Sequence, residues 1–304
     1  MATLYTPFEI ADLLKIKKST VYELIKRGEL ISTKIGKQLR ISEDAIKQYL
    51  AKDTITTLKD SQLPHNELLS ATDGLILCGQ DAVLDYLCSL LEAHPSGVKT
   101  LRSFSGSYNS LYSLYFDKVH VASTHLWNAK TNTYNLSYIE HLLPGTPVEC
   151  YHLMKRQQGF YVSHGNPKGI HNIFDLTIPA ITFVNREKGS GTRILFDELL
   201  VSNKIESSKI NGYATEVLSH VAGASYISSG KADVALGQEA VLRNFPSLDF
   251  IPLKEESYDL VFLKRNRELP CFKAMVEVIQ SNEFKNLLEQ QTYFDITDIG
   301  KQLI

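Results

Sequence analysis

The sequence predicts an α/β protein in which a small winged helix-turn-helix domain precedes a two-lobed body. Two helical patterns and an alternating segment follow one another within residues 1–52. From residue 73 onward, short apolar runs alternate with helical patterns, as they do in open α/β sheets. Extended runs at 148–154, continued at 159–163, and at 248–252 and 257–263 interrupt this alternation and predict long strands that cross between two lobes.

The charge of the chain is unevenly distributed along its length. The 304 residues, enough for two or three domains, are 43% hydrophobic and 22% charged, as in ordinary globular proteins. The net charge is −2, yet residues 1–52 carry ten Lys/Arg against six Asp/Glu, a charge of +4, so the remainder carries −6. A basic first segment on an acidic body predicts that only the first segment contacts nucleic acid.

Several classes of protein are disfavoured by what the sequence lacks. Its four cysteines are scattered without a C-x-x-C pair, which favours buried reduced thiols over metal or disulfide roles. The nine histidines are dispersed, and no common hydrolase, zinc-protease or P-loop motif occurs. The first residues lack a secretion-signal pattern, and no apolar run reaches membrane-spanning length. We therefore expect a cytoplasmic protein that is not an enzyme and has no cofactor, metal or membrane partner.

The first 52 residues contain the signals of a winged helix-turn-helix. Thr6 and Pro7 fit the N-cap and first position of a helix. A second helix is predicted to begin at Lys18 or Ser19 and to end at Gly28. Residues 30–41 alternate around Gly36 and predict a hairpin, the wing, and residues 42–50 predict a third helix.

This arrangement resembles the excisionase/MerR-type winged DNA-binding family over residues 4–50. The matching residues are Thr6-Pro7, Ala11–Leu14, Ser19–Tyr22, Ile25–Leu30, Lys34–Gly36 and Arg40-Ile41. The resemblance implies that the second helix enters the major groove and faces DNA with Lys18, Ser19, Thr20, Tyr22, Glu23 and Lys26. It also implies that the wing contacts DNA with Lys34, Lys37, Gln38 and Arg40. The alternative is a solvated charged surface on a small protein-interaction domain.

The remaining chain divides into a connector and the α/β body. Residues 53–70 are polar with weak periodicity and predict a linker, which leaves 71–304 as the ligand-sensing domain. The predicted strands and helices are listed by residue number: strands 74–78, 100–104, 119–123, 180–184 and 233–236, and helices 82–93, 111–116, 192–202 and within 270–291. Small and hydroxyl residues follow the predicted strands at their carboxyl ends, where open α/β sheets bind ligands.

The most informative stretch of the body is Asn185–Arg193, between a predicted strand and a predicted helix. Its Gly-Ser-Gly-Thr turn leaves the first amides of the helix without intrahelical partners. The helix dipole adds partial positive charge at that point, and the small residues let a ligand approach the backbone. The stretch therefore predicts an anion pocket.

Residues 73–300 resemble the type II periplasmic-binding-protein superfamily, and in particular a cytoplasmic branch fused to DNA-binding domains and associated with molybdate or tungstate. The resembling stretches are Leu143–Pro147, Gln157–Phe160, Gly165–Gly169, Phe183–Arg193, Gly230–Asp233 and Tyr258–Val261. The resemblance implies one lobe at about 71–150 and 258–304 and another at about 155–255. Gly79–Asp81 departs from the family, in which Gly-Ser-His-Asp is expected, so a hydroxyl of the first loop is missing.

The candidate ligand-binding residues lie in the loops that follow the strands: Ser105, Gly106, Ser107, Ser123, Thr124, Arg186, Ser190, Gly191, Thr192 and Arg193. Arg186 stands four residues before Ser190, as in tungstate-binding relatives, and a guanidinium can hold an oxyanion with two hydrogen bonds. The alternatives are simple helix capping for Ser190, a salt bridge to Glu187 for Arg186, and an i,i+4 pair with Asp197 for Arg193. Asp259 either excludes anions from the pocket or serves only as a cap for the local backbone.

Together these observations predict a ligand-responsive one-component transcription regulator. A homodimer would bind a double-stranded DNA operator through its N-terminal domains, and a small anionic effector, molybdate or tungstate first, would bind in the body. Two alternatives remain open at this point. The same architecture could sense a small organic anion, or the protein could be an architectural DNA binder whose body is an interaction module.

Overall fold

The structure, a computed structural model, describes residues 4–14, 17–27, 30–36, 38–43, 45–46, 49 and 74–304. The chain divides into two compact units, Met1–Glu67 and Leu68–Ile304. The predicted linker, Gly28 and the predicted DNA contact Lys37 lie outside the described residues. No helix in the described ranges is long and apolar enough to cross a membrane.

The first unit has the predicted winged helix-turn-helix fold. Its elements are β1 (Leu4–Tyr5), α1 (Pro7–Leu14), α2 (Lys18–Lys26), β2 (Thr33–Ile35) and β3 (Gln38–Ser42). The strands form an antiparallel sheet in the order β1-β3-β2. A capping box begins α1, because the Thr6 amide donates to Glu9 Oε2 at 2.6 Å and the Glu9 amide donates to Thr6 Oγ1 at 3.2 Å.

Apolar side chains from both helices and β3 form the core of this unit. The buried members are Ile10, Ala11, Val21, Leu24, Leu30, Ile41, Ala45 and Ile46. Of the predicted third helix, the described residues Glu43, Ala45, Ile46 and Tyr49 are helical. Since α2 turns Val21 and Leu24 inward, its opposite face is free to carry polar side chains.

The second unit is an α/β body. Its strands are β4 (Leu75–Cys78), β5 (Thr100–Ser103), β6 (Val121–Thr124), β7 (Trp127–Asn128), β8 (Thr133–Tyr134), β9 (Val148–Ser163), β10 (Phe183–Arg186), β11 (Glu216–Val217), β12 (Val234–Gln238), β13 (Leu248–Leu263) and β14 (Phe294–Asp295). Its α-helices are α3 (Val83–Ala93), α4 (Ser107–Tyr115), α5 (Leu136–Leu142), α6 (Gly191–Ser202), α7 (His220–Ser228), α8 (Pro270–Gln280) and α9 (Asn282–Glu289). Short 3₁₀ helices occupy Ile173–Thr177, Ser207–Lys209, Glu239–Asn244 and Lys264–Asn266.

Two strands of 16 residues, β9 and β13, join the halves of the body. They pair antiparallel along their length, with register shifts between Pro252 and Lys254 and between Tyr258 and Asp259. The sheet runs in the order β11-β10-β12-β9-β13-β6-β4-β5, and β14 pairs with β9. At one end β12 flanks β9, and at the other β6 flanks β13, so this two-stranded ribbon belongs to both halves.

The apolar core is divided in the same way, which defines two lobes. The first lobe packs α3, α8 and α9 against β4 and one end of the ribbon, with Leu87, Phe262 and Phe272 among its buried residues. The second packs α6 against β10 and β12, where the rings of Phe183 and Phe196 stack at 4.4 Å. The β7–β8 hairpin follows β6 in the chain, yet it contributes Trp127 to the second core. The lobe boundaries predicted from the sequence stay predictions.

Several element boundaries differ from those expected. The strand predicted at 180–184 is β10, which begins only at Phe183. Ile181 is buried in the core but is not part of the sheet, so its apolar side chain extended the pattern beyond the strand. The helix predicted at 111–116 begins earlier, at Ser107, and its first turn contains the small residues that were expected to form a loop. Helix α7 was not predicted, because Gly223 and several serines lower its intrinsic helix propensity. Its packing against β12 stabilises the helix in spite of this composition.

Candidate ligand-binding site

A small cavity lies between the two lobes at the carboxyl ends of β4, β6, β10 and β12. Its lining residues are Gln80, Asp81, Ser105, Gly106, Ser107, Ser123, His125, Arg156, Arg186, Ser190, Gly191, Thr192, His220, Gln238 and Tyr258. The cavity has a volume of about 30 Å³, room for about two or three water-sized groups. The structure thus brings together most of the candidate residues from both lobes.

The start of α6 forms the second lobe's side of the cavity. Ser190 is the N-cap, and its Oγ accepts a hydrogen bond from the Arg193 amide at 3.2 Å. The same hydroxyl donates to the carbonyl of Glu187 at 3.0 Å, so both its donor and an acceptor position are used within the lobe. The amides of Gly191 and Thr192 make no hydrogen bond within residues 74–304. They are available to a ligand.

The start of α4 faces α6 from the first lobe. Its N-cap is Gly106, which provides no side-chain cap. The Oγ of Ser107 accepts a hydrogen bond from the His125 amide at 3.2 Å, which leaves its hydroxyl hydrogen free for a ligand. The lobes touch here, because the Tyr108 amide donates to the Gly189 carbonyl at 3.0 Å. A Cβ added at Gly106 would lie 2.5 Å from that carbonyl oxygen and from Ser190 Cα, so the approach requires glycine.

A buried arginine of β9 forms the floor of the cavity. The Nε of Arg156 donates to Glu256 at 2.5 Å, and its Nη1 donates to Asp81 and, at 2.9 Å, to Gln238. The guanidinium lies 4.4 Å from the centre of the Tyr258 ring. Its Nη2 makes no hydrogen bond to the described part of the chain. One donor group of a buried cation is therefore left at the cavity.

Arg186 at the end of β10 supplies a second guanidinium. Its Nε donates to Glu187 at 2.8 Å, and its Nη2 donates to Gln80 of the first lobe at 2.6 Å. Its Nη1 has no hydrogen-bond partner among the described residues. The salt bridge to Glu187, weighed as an alternative to ligand binding, thus coexists with a position in the cavity wall.

The carboxylates around the cavity are already engaged. Asp81 accepts from the Val83 amide at 2.8 Å and from Arg156. Burial alone would raise the pKa of Glu256, but His125, Arg156 and Gln158 together hold it at about 2. Because these acceptors are occupied, the unpaired polar groups that remain are mainly donors.

His220, the first residue of α7, lines the cavity with an unsatisfied ring nitrogen. Its Nδ1 is buried and has no hydrogen-bond partner in the described part of the chain. Burial lowers the pKa of His220 well below its usual range, and its neighbours Arg186, Arg156 and His125 add to this effect. The imidazole is therefore neutral near pH 7.

Two candidate ligand residues lie outside the cavity wall. Thr124 Oγ1 donates to Asn135 at 3.1 Å, within the first lobe. Arg193 pairs with Asp197, the i,i+4 alternative, and with Glu216, and it lies over the Tyr213 ring at 4.5 Å. Asp259 is paired with His152 at 2.7 Å.

The ten ligand-binding candidates from the sequence do not include seven of the lining residues: Gln80, Asp81, His125, Arg156, His220, Gln238 and Tyr258. Arg156 had one usable signal, since it stands in an otherwise buried extended segment, where a charge needs a partner. His220 had none, because its helix was not predicted. Gln80 lies in the loop after β4, and its side chain bridges the lobes to Arg186 and Glu187.

The predicted DNA-contacting residues of α2 lie mostly on its open face. Lys18, Ser19, Tyr22, Glu23 and Lys26 are exposed, and Thr20 is half-buried. In the wing, Lys34 and Gln38 are exposed, and half-buried Arg40 donates from Nη2 to Gln38 Oε1 at 2.8 Å. Among the predicted contacts that the structure describes, four basic side chains therefore lie on one helix and one hairpin: Lys18, Lys26, Lys34 and Arg40.

Comparison with known proteins gives two family matches. A model described as a PBP superfamily domain matches residues 88–280, and one described as a helix-turn-helix domain matches residues 4–54. A Bacillus subtilis protein, uncharacterized protein YvgK, is 37% identical over 304 residues, which cover 99% of this chain and 97% of that protein.

Solved structures share the fold at low sequence identity. A candidate phosphate ABC transporter substrate-binding protein from Clostridium perfringens, with bound phosphate, has a TM-score of 0.57 and 9% identity, and the match covers 73% of this chain and 98% of that one. A hydrogen-peroxide-bound OxyR mutant from Corynebacterium glutamicum has a TM-score of 0.51 and 12% identity, and the match covers 94% of this chain and 90% of that one.

Proposed function

This chain belongs to the PBP superfamily and carries a helix-turn-helix domain at its N-terminus, and from that premise we propose that it is a one-component transcription regulator controlled by a small oxyanion. The helix-turn-helix domain suggests DNA binding, and the PBP-like domain suggests ligand binding. The oxyanion, the dimer and the excisionase/MerR-type manner of DNA contact are the proposed steps beyond those findings.

The observation that carries the proposal is the set of unpaired donors around the cavity. The amides of Gly191 and Thr192, the hydroxyl of Ser107 and one nitrogen each of Arg156 and Arg186 have no acceptor within the described chain. The starts of α4 and α6 add partial positive charge from opposite sides. Such a set is matched by a compact ligand that carries negative charge and several acceptor oxygens.

The size of the cavity favours a tetrahedral oxyanion over an organic anion. A volume of about 30 Å³ leaves little room for a carbon skeleton in addition to a charged group. Molybdate and tungstate are the first candidates, because Arg186 precedes Ser190-Gly191-Thr192 as in the tungstate-binding relatives that the sequence resembles. The structural similarity to a protein solved with phosphate supports the oxyanion class.

Anion binding would change the affinity for DNA through closure of the lobes. An anion held by both α4 and α6 favours the state in which they are close, and it can shift that equilibrium only by its preference for the closed state. In a homodimer, closure would change how the two N-terminal domains fit the half-sites of a double-stranded operator. Light scattering after gel filtration tests the dimer directly.

The anion part is tested by calorimetric titration with molybdate, tungstate, sulfate and phosphate. We expect binding of at least one, and Arg186→Gln should weaken it by about 1.5–3 kcal/mol because a charged hydrogen bond is lost. Arg243→Gln, which changes an arginine outside the cavity, is the matched control and should leave affinity unchanged. Absence of binding by all four anions would refute the oxyanion proposal.

The DNA part uses an operator selected by the protein from random double-stranded DNA. Lys18→Ala and Lys26→Ala should weaken DNA binding and reduce its salt dependence, whereas Lys209→Ala in the body should not. The anion that binds should change operator affinity. An unchanged operator affinity at saturating anion would favour an architectural DNA-binding protein.

A further inference from the structure

We propose that His220 contacts the oxyanion and takes up a proton as the anion binds, so that the protein responds to the anion and to acidity together. The inference rests on the proposed function, because it needs an anion in the cavity. It adds a specific residue and a proton to the binding reaction.

A residue of the cavity wall carries a buried ring nitrogen that has no hydrogen-bond partner among the described residues. His220 is the first residue of α7, and its ring lines the same cavity as Arg156 and Arg186. Its Nδ1 is buried, and no described residue gives it a hydrogen bond. A buried nitrogen of this kind is unfavourable unless something supplies its partner. An oxygen of a bound anion would be that partner, with Nδ1–H as the donor.

The charges that act on His220 come from several elements. Arg186 on β10, Arg156 on β9 and His125 after β6 all favour its neutral form. The carboxylates nearby are engaged elsewhere: Asp81 and Glu256 pair with Arg156, and Glu187 pairs with Arg186. On β11, Glu216 pairs with Arg193, and β12 contributes the uncharged Gln238. Without an anion, burial and these neighbours therefore keep the His220 imidazole neutral.

A doubly charged anion reverses this balance. Its negative charge lies next to the ring and favours the imidazolium, so the pKa of His220 is higher in the complex than in the free protein. The sign of the linkage follows: affinity for the anion rises as pH falls from the higher pKa toward the lower one. Above the pKa of the complex the dependence disappears. One coupled proton gives at most about a tenfold change in affinity per pH unit.

The first test measures the proton directly. Tungstate is titrated into the full chain at several pH values from about 6 to about 8.5, in pairs of buffers that differ in ionisation enthalpy. We expect net uptake of up to one proton per anion and affinity that falls as pH rises. Perrhenate, a tetrahedral ion with half the charge, should cause less uptake. Binding of tungstate without proton uptake would overturn the His220 proposal and leave the oxyanion proposal standing.

The second test assigns the proton to its residue. His220→Gln keeps a hydrogen-bond donor but cannot be protonated, so it should bind tungstate with the pH dependence and the proton uptake lost. His171→Gln changes an exposed histidine outside the cavity and should behave as the unmodified chain. Full retention of proton uptake in His220→Gln would overturn the proposal. If that variant does not fold, the two-buffer measurement on the unmodified chain still decides. Failure of every anion to bind overturns both proposals.

Discussion

The two helix starts that face each other across the cavity differ in how their first amides are satisfied. On α6, the Ser190 side chain caps the Arg193 amide and is itself bonded to Glu187, so this half of the site is held within its own lobe. On α4, Gly106 offers no cap, and contact with Gly189 of the other lobe fixes the turn. We infer that the second lobe presents a formed half-site and that the first completes it on closing.

The largest expected loss of stability comes from removing the positive charge of Arg156, which lies beneath both half-sites. Arg156→Met would leave Asp81 and Glu256 buried without their cation, and breaking a buried pair costs about 3–5 kcal/mol. Urea unfolding should show this loss. Lys155→Met, at a half-exposed neighbour in the same strand, should cost less than about 1 kcal/mol. Equal losses would contradict a special role for the buried cation.

Acid should weaken the buried ion pair that Glu256 makes with Arg156. The pKa of Glu256 is lowered to about 2, so its contribution is present above the ordinary pKa of a glutamate, near 4.3, and is lost as pH falls through about 2. The difference corresponds to about 3 kcal/mol of unfolding free energy. Denaturant unfolding between about pH 5 and about pH 2 measures it. Glu256→Gln should flatten this part of the profile, and an unchanged slope would contradict the assignment.

Closure itself is tested at the glycine contact. Gly106→Ala places a Cβ against the backbone of Ser190, and overpacking of this kind costs about 1–3 kcal/mol. Because only the closed state is affected, anion affinity should fall by about ten- to a hundredfold while thermal stability without anion changes little. Gly223→Ala, whose Cβ would meet an ordinary 3.5 Å contact, is the control. Unchanged affinity would mean that the lobes need not approach this closely.

The smallest effects are expected from replacing Ser190 and Ser107, one serine from each half-site. Ser190→Ala removes a helix cap and should lower stability by about 0.5–2 kcal/mol. Ser107→Ala removes a hydroxyl that accepts from the His125 amide and faces the ligand, so it should reduce anion affinity more than Ser190→Ala does. Thermal unfolding and calorimetry on both variants measure the two quantities. The reverse ranking of affinities would contradict the distinction between a formed and a completed half-site.

The sequence predicts the parts of this molecule that depend on local chemistry. The turns at Ser105–Ser107 and Ser190–Thr192 are recognisable because small residues follow apolar strands. The winged helix-turn-helix fold is confirmed for the same reason, since caps and turn glycines are short-range signals.

The rest of the site depends on residues distant in sequence. Arg156 reaches the cavity because β9 and β13 pair over their full length, and its partner Asp81 lies 75 positions away. His220 depends on a helix whose Gly and Ser content argued against it. Arg193, although adjacent to the anion-binding turn, is directed to Asp197 and Tyr213 instead. The local pattern that distinguishes it from Arg186 is its i,i+4 spacing to Asp197.

The paired ribbon of β9 and β13 limits how this protein can diversify. Residues alternate between the two faces of a strand, so inserting or deleting one residue between the lobes would turn Arg156 or Glu256 away from the cavity. We therefore expect a one-residue change of length next to Arg156 or Glu256 to disrupt the floor of the cavity, and new ligand preferences to arise by substitution in the surrounding turns. Gln80, whose side chain joins the lobes through Arg186 and Glu187, is one such position.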